Sequence, residues 1–392
     1  MSILSMRLST VLVSALRYNI NPATIPFLSQ VPRVKHYSIP SMFRPSHTCD
    51  IDAEPFHRYR PGGYHPILLG DLFKNQRYKV IQKIGWGGNS TTWVARDQLH
   101  SPNVTLKVSV SDKSSNNKAN VLSAIYKLSE EYPRQDHPGR HHLVRMLDHF
   151  TVDRPDGIHD CLVLELLGPS VPDVIESLYS DGRLPADLAK STAYRALLGI
   201  DVLSSHKIGH GVRPPFEEYH ICFTEPCHFG RVTFLEMFGR PETTPVGSVD
   251  GIALTTHLPN YIVRPIFFPV RSMREGLRTS TVKIIDFGEA FFPSQNAVAV
   301  HTPLAVRALE AIFDDWIDYR VDMWSMDFLL VEPVAGQPLF DKVMANSCYP
   351  GVGDDGIFAA TSCLIGGERN WIQRWLGEPG LLVVPLVRCW IS

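Results

Sequence analysis

The feature that most constrains the fold is a glycine-dense turn set between two β-branched runs. Ile84-Gly-Trp-Gly-Gly-Asn-Ser-Thr-Thr-Trp-Val-Ala follows the run Tyr78–Ile84 directly and opens into a second run, Thr92–Arg96. The glycines therefore sit on a hairpin and not at a helix start, which separates this loop from a dinucleotide fingerprint. A third run, Val104–Val110, alternates. Val104, Leu106, Val108 and Val110 point one way, so Thr105, Lys107 and Ser109 point the other. Short β-branched segments divided by Gly/Asn/Ser turns predict an antiparallel meander.

Downstream, a helical stretch around Val121–Glu131 precedes two further runs, His142–Phe150 and Leu162–Leu167, that read as strands. The expectation is an α+β protein whose first part is a five-stranded antiparallel sheet with one helix. From Leu184 to Ser205 the apolar positions Leu188, Ala193, Leu197, Leu198, Ile200 and Leu203 predict a long buried helix, after which the chain turns mainly helical. Residues 211–276 are irregular, rich in Pro, Gly and Thr, and long enough to suggest a functional insert. Before the sheet, residues 54–76 include Pro55-Phe-His-Arg-Tyr-Arg-Pro-Gly-Gly-Tyr-His-Pro and read as an extended lead-in that packs locally.

Three features carry chemistry together that none carries alone. Gly85 and Gly87 let backbone N–H groups approach a polyphosphate with no Cβ in the way. Lys107 offers an ammonium on the polar face of its strand. Lys283-Ile-Ile-Asp286-Phe287-Gly288 ends an apolar strand in a carboxylate placed to hold Mg²⁺ against phosphate oxygens. Separately they have bland readings: a plain hairpin turn, a solvated edge charge, a short chance triplet.

In this order the set resembles the protein-kinase fold. Gly70-Asp-Leu-Phe before Tyr78, His149-Phe, Leu164-Glu-Leu-Leu-Gly-Pro-Ser-Val and Asp318-Tyr-Arg-Val-Asp-Met-Trp-Ser-Met extend the likeness to fungal SR-protein kinases, over roughly residues 55–345. The resemblance implies a bilobal fold with an N-lobe over residues 77–168 and a mainly helical C-lobe over 169–345 that holds the insert. It implies ATP and Mg²⁺ as cofactors. Backbone at Glu165 and Leu167 would bond adenine, Lys107 would hold the α and β phosphates, Asp286 would bind Mg²⁺, and Asp322 would brace the catalytic loop from below, with Glu310 as a further structural support. The family transfers the γ-phosphoryl group of ATP to serine, typically in arginine-serine-rich splicing factors, and works in cytoplasm and nucleus.

The chain also departs from that pattern. Ile208-Gly-His-Gly matches the approach to the catalytic loop, yet Val212 stands where the catalytic Asp belongs, and Arg213-Pro-Pro-Phe-Glu-Glu-Tyr-His220 contains no Asn for a second metal contact. Valine cannot take a proton. Glu217 or Glu218 is a candidate substitute, its aim set by the Pro214-Pro215 pair. The Glu that should pair with Lys107 falls near Val121, with Lys118 the closest charge; Leu309 replaces the proline of Ala-Pro-Glu, Asp327 replaces a helix glycine, and Pro333 falls in a helix interior. Beyond residue 345 the pattern fades into an atypical tail, 346–392, so the C-lobe reads as truncated. The readings left open are an active kinase, a catalytically impaired pseudokinase that binds nucleotide or protein, and a non-enzymatic remnant.

Composition decides the remaining points. Met1–Cys49 has five Lys/Arg and no Asp or Glu, against 33 and 40 in the rest of the chain. With Leu4, Leu8, Val11, Leu12 and Leu16 on one helical face, residues 1–53 read as a mitochondrial transit peptide or as a disordered extension. The net charge of −2 argues against nucleic-acid binding through a positive field, and no run of apolar residues is long enough to span a membrane. Seven scattered cysteines, with Cys222 and Cys227 the nearest pair, fit reduced thiols better than a zinc knuckle or a disulfide framework.

Overall fold

The structure, a computed structural model, describes residues 47–100, 103–111, 137–211, 221–223, 238–248, 255–277, 281–292 and 317–322, with single positions 234, 236, 308 and 311. All lie in one compact unit, Ser46–Ser392. Its strands are β1 (His47–Thr48), β2 (Leu72–Phe73), β3 (Tyr78–Gly87), β4 (Ser90–Asp97), β5 (Asn103–Ser109), β6 (Met146–Arg154), β7 (Gly157–Glu165), β8 (Ile221–Phe223), β9 (Thr243–Pro245), β10 (Gly247–Ser248), β11 (Tyr261–Val263) and β12 (Val282–Ile284). Among the described residues its named helices are α1 (Val171–Leu178), α2 (Ala186–Ser205) and α3 (Val270–Gly276). The protein is α+β and strand-rich.

The main sheet runs β2-β3-β4-β5-β7-β6, antiparallel throughout. It has six strands where the sequence predicts five. The extra one, β2, is two residues of the lead-in added to the edge of β3, with Phe73 opposite Tyr78. Strand limits also move. Residues Pro138–His142 form a 3₁₀ turn capped by the His137 ring, so β6 starts only at Met146, and its ladder with β7 continues to the tight turn at Gly157. Pairing, more than local propensity, sets both ends.

Strand β7 divides two hydrophobic cores. Cys161 and Val163 point into a core with Tyr78, Val80, Trp93, Leu106 and Val108. Leu162 and Leu164 point into the other, with Val171, Val174, Ile200, Leu203, Val282 and Ile284. Two-residue alternation in one buried strand thus joins the sheet to the helical half of the chain.

Helix α1 opens with a capping box between Ser170 and Asp173. For α2 the buried face differs from the predicted one. Ala189, Thr192, Ala196, Gly199, Ile200, Val202 and Leu203 are buried, while Leu188, Ala193, Leu197 and Leu198 are only partly so. Small residues decide the orientation because α2 is pressed against the 3₁₀ turn and β12. A Cβ on Gly199 would lie 2.8 Å from Ile284 Cδ1 and 3.2 Å from the His142 carbonyl, and one on Gly139 would collide with the Leu198 carbonyl.

The lead-in and the insert both attach to the main sheet, so neither packs only locally. The Leu69 N–H donates to the Tyr261 hydroxyl at 3.0 Å, Gln82 Nε2 to the Arg264 carbonyl at 3.1 Å, and the Ile266 N–H to the Lys83 carbonyl at 2.8 Å. Val263 of the insert enters the first core. The insert also carries regular structure: β9 pairs with β11, and β10 pairs with β1. The predicted helix around Val121–Glu131, and the residues Asp327, Pro333 and 346–392, lie outside the described residues. Among the described residues no helix is long and apolar enough to cross a membrane.

Candidate active site

Strands β3 and β4 meet at Gly87 opposite Ser90, which puts Gly88 and Asn89 in the turn. Among the described residues a Cβ built on Gly85 or Gly87 would meet nothing within 4 Å, so they leave open space beside this hairpin. From behind, the lead-in holds it. The Tyr64 hydroxyl donates to the Gly87 carbonyl at 2.8 Å, and Arg58 Nη1 donates to the Gly88 carbonyl. Sequence reasoning missed this support, although the Arg, Tyr and Gly residues of the lead-in were its signal.

Lys107 occupies the middle of β5 between Thr92 of β4 and Leu162 of β7. Cross-strand neighbours share a face. Lys107 therefore lies on the face that Leu162 turns toward the second core, opposite Leu106 and Val108. Its Nζ reaches Asp286 Oδ1 at 2.6 Å, and both side chains keep some solvent access, 15% and 30%. The sequence-predicted ammonium and carboxylate, 179 positions apart in the chain, form one ion pair.

Asp286 follows β12 with φ 61° and ψ 66°, a left-handed conformation that is rare for a residue with a Cβ. Its Oδ1 accepts from the Gly288 N–H at 3.2 Å and so caps the short 3₁₀ turn Phe287–Glu289. Backbone strain of this kind, roughly 1–3 kcal/mol, persists where the surroundings fix it, and here they do. Phe287 is buried with its ring edge-on to His210, centroids 4.7 Å apart.

His210 links the two segments. Its Nε2 lies 3.0 Å from the Ile285 carbonyl, and its backbone N–H donates to Asp322 Oδ2, while the Gly211 N–H donates to Asp322 Oδ1 at 3.0 Å. One buried carboxylate thus fixes two successive amides. Gly211 has φ +70°, and a Cβ there would sit 2.6 Å from the Glu289 carbonyl oxygen, so only glycine fits. Gly209 and Phe291 exchange backbone hydrogen bonds at 2.9 and 3.0 Å, which completes the anchorage.

At the end of β7 the Glu165 carboxylate accepts from the Arg145 N–H at 2.7 Å and from Lys283 Nζ at 2.5 Å. The Glu165 N–H donates to the Arg145 carbonyl at 3.1 Å. This ties the β12 strand that carries Asp286 to the segment leading to Leu167. The Lys283 contact was not foreseen, though a lysine inside an apolar strand was its trace. Val212, Glu217, Glu218, Lys118, Val121, Leu309 and Glu310 lie outside the described residues.

The donor set fits a magnesium nucleotide. Among the described residues open space adjoins two hairpin glycines, and the paired Lys107 ammonium and Asp286 carboxylate are the groups that would turn to phosphate and to Mg²⁺, which takes oxygen ligands. A glycine hairpin, a strand lysine and a strand-end Asp-Phe-Gly are parts of the protein-kinase nucleotide site; there the lysine pairs with a helix glutamate, whereas here Lys107 pairs with Asp286 itself.

No family model matches the chain. Among curated proteins it is similar to the serine/threonine-protein kinase SKY1 of Saccharomyces cerevisiae, 32% identical over 159 residues that make up 40% of this chain and 21% of that protein. It is similar to the protein kinase dsk1 of Schizosaccharomyces pombe, 35% identical over 42% of this chain and 29% of that protein. A third relative, the serine/threonine-protein kinase SRPK of Physarum polycephalum, is 27% identical over 74% of this chain and 68% of its own length. The matched part thus spans under a third of the two yeast relatives. Its relatives include serine/threonine kinases of the SR-protein-kinase type.

Proposed function

We propose that the chain is a serine/threonine protein kinase of the SR-protein-kinase type, transferring the γ-phosphoryl group of ATP to serine in arginine-serine-rich proteins. The observation that carries this reading is the Lys107–Asp286 pair at 2.6 Å beneath the glycine hairpin. ATP bound with Mg²⁺ supplies the phosphoryl group and spreads its charge. Lys107 would hold the α and β phosphates, the backbone at Gly85 and Gly87 would cradle them, and Asp286 would hold the metal. The Glu165 N–H serves the Arg145 carbonyl, so adenine would be bound by the Glu165 carbonyl and the Leu167 N–H. Asp322 sets where the catalytic loop begins by holding the His210 and Gly211 amides.

One sequence observation favours a second reading. Val212 cannot orient or deprotonate a substrate hydroxyl, and general-base help is worth about 100- to 10,000-fold in rate. Positioning and electrostatics would remain. A catalytically impaired module that binds nucleotide or protein is the alternative. Incubating the full chain with labelled ATP, Mg²⁺ and an arginine-serine peptide separates the two. Label on serine, lost in Lys107→Met, is the expected result. Nucleotide binding with no label transferred at any enzyme concentration would leave only the binding module.

A further inference from the structure

At the far end of β7 from Glu165, three metal-ligand side chains converge from three segments. His65 comes from the lead-in, Asp156 from the turn between β6 and β7, and His159 from β7 itself. His65 Nδ1 lies 3.5 Å from Asp156 Oδ2, and one ligand atom from each of the three lies within 4.8 Å of the others. Tetrahedral zinc with bonds of about 2.0–2.1 Å puts its ligand atoms about 3.3–3.4 Å apart; the His65–Asp156 pair is already near that spacing at 3.5 Å, and the side chains would close up around the ion.

His159 makes the cluster more than a hydrogen-bonded knot. It is fully buried, and its Nδ1 sits 2.8 Å from the Ser109 carbonyl. A carbonyl only accepts, so Nδ1 carries a proton, and in the neutral ring Nε2 holds the lone pair. That buried Nε2 has no hydrogen-bond partner among the described residues. Buried polar atoms are nearly always paired, and an orphan calls for an explanation. A ring whose one N–H donates to a backbone carbonyl while its other nitrogen stays bare is oriented as metal-bound histidines are.

The surroundings fit the same role. Asp156 divides its carboxylate, Oδ2 toward His65 and Oδ1 toward His257 Nδ1 of the insert. Its carbonyl accepts from the Gly62 N–H at 2.7 Å and from Ser111 Oγ at 3.0 Å, so the residue is held at both ends. A plain His-Asp-His network would satisfy His65, Asp156 and His257 and still leave His159 Nε2 bare. Two imidazoles and one carboxylate suit zinc better than Mg²⁺ or Ca²⁺, which take oxygen ligands.

We propose that His65, Asp156 and His159 form a Zn²⁺ site, with His257 as the outer partner that orients Asp156. The site is distinct from the proposed Mg²⁺ ligand Asp286. The zinc pins the lead-in to the β6–β7 hairpin next to Tyr64, the residue that holds the Gly87 carbonyl.

The test uses the full chain, stripped with a chelator and titrated with Zn²⁺ alone, with calorimetry for stoichiometry and thermal unfolding as a second readout. Wild type should take up one equivalent more than His65→Asn or Asp156→Asn, and its melting temperature should rise on zinc addition where theirs does not. His257→Gln should keep that equivalent and weaken it by about 10- to 100-fold, as outer partners do. Equal uptake and equal melting shifts in wild type and the folded His65→Asn chain would overturn the site. Should the variants fail to fold, zinc X-ray absorption of the wild-type protein decides. A nitrogen and oxygen shell supports the site, and a sulfur-only shell or the absence of saturable zinc overturns it.

Discussion

Individual side chains in this protein matter according to what remains when their partner is removed. Glu54 and Lys83 are both buried, joined through Glu54 Oε2, with the Tyr59 hydroxyl on Oε1 and the Trp93 ring 5.6 Å from the ammonium. Burial pulls the Lys83 pKa down, and Glu54 works against that fall; burial, then Glu54, pushes the Tyr59 phenol up. Glu54→Gln leaves an ammonium without its counter-charge, and denaturant unfolding should show a loss of about 3–5 kcal/mol. The double change Glu54→Leu with Lys83→Met should recover most of it, since a well-packed apolar pair can replace a buried ion pair. Asp97 behaves differently. Burial would raise its carboxyl, but the Arg77 guanidinium, the Leu99 N–H and the His100 ring outweigh burial and hold it well below the usual carboxylate range. A carboxyl with a lowered folded-state pKa adds stability that is complete above its unfolded value and lost as pH falls through the folded one. Asp97→Asn should therefore cost about 2 kcal/mol at pH 7. The gap to wild type should close as unfolding is followed below about pH 4.

Elements show how far the sequence could be read. The glycine hairpin, the alternation in β5 and the apolar strand before Asp286 were legible because each follows from local rules: turn chemistry, a two-residue period, a short β-branched run. Lys107 and Asp286 could be named from that pattern and placed in one nucleotide site by the resemblance, while the direct 2.6 Å contact between them could not be read. The sixth strand was hidden because Leu72-Phe73 has no strand signal of its own and exists only by pairing with β3. The buried face of α2 was misplaced for a related reason. Hydrophobic periodicity favours large residues, yet close approach to β12 and the 3₁₀ turn selects Ala189, Ala196 and Gly199. Gly139 shows the same constraint from the facing side. Because any Cβ there meets backbone at Leu198, Gly139→Ala should destabilise by about 1–3 kcal/mol or more and lower the melting temperature. Gly85→Ala, with nothing within 4 Å of the added carbon, should leave stability within about 0.5 kcal/mol of wild type.

At the scale of the whole molecule, segments remote in sequence converge on one sheet. The lead-in backs the glycine hairpin, the insert adds Val263 to the first core, and the Lys283–Glu165 pair joins the strand before Asp286 to the end of β7. Composition could not reveal this, since it emerges only from packing. The arrangement holds an ammonium and a carboxylate in register beneath an open hairpin, and the account rests on that register being a magnesium-nucleotide site. Thermal unfolding of the full chain with and without ATP and Mg²⁺ tests it most directly. Binding at a hundredfold excess over Kd adds about 2.7 kcal/mol, so the wild-type melting temperature should rise, while Lys107→Met and Asp286→Asn should show little or no rise. A wild-type chain whose melting temperature does not move, or two variants that move as far as wild type, would contradict the account.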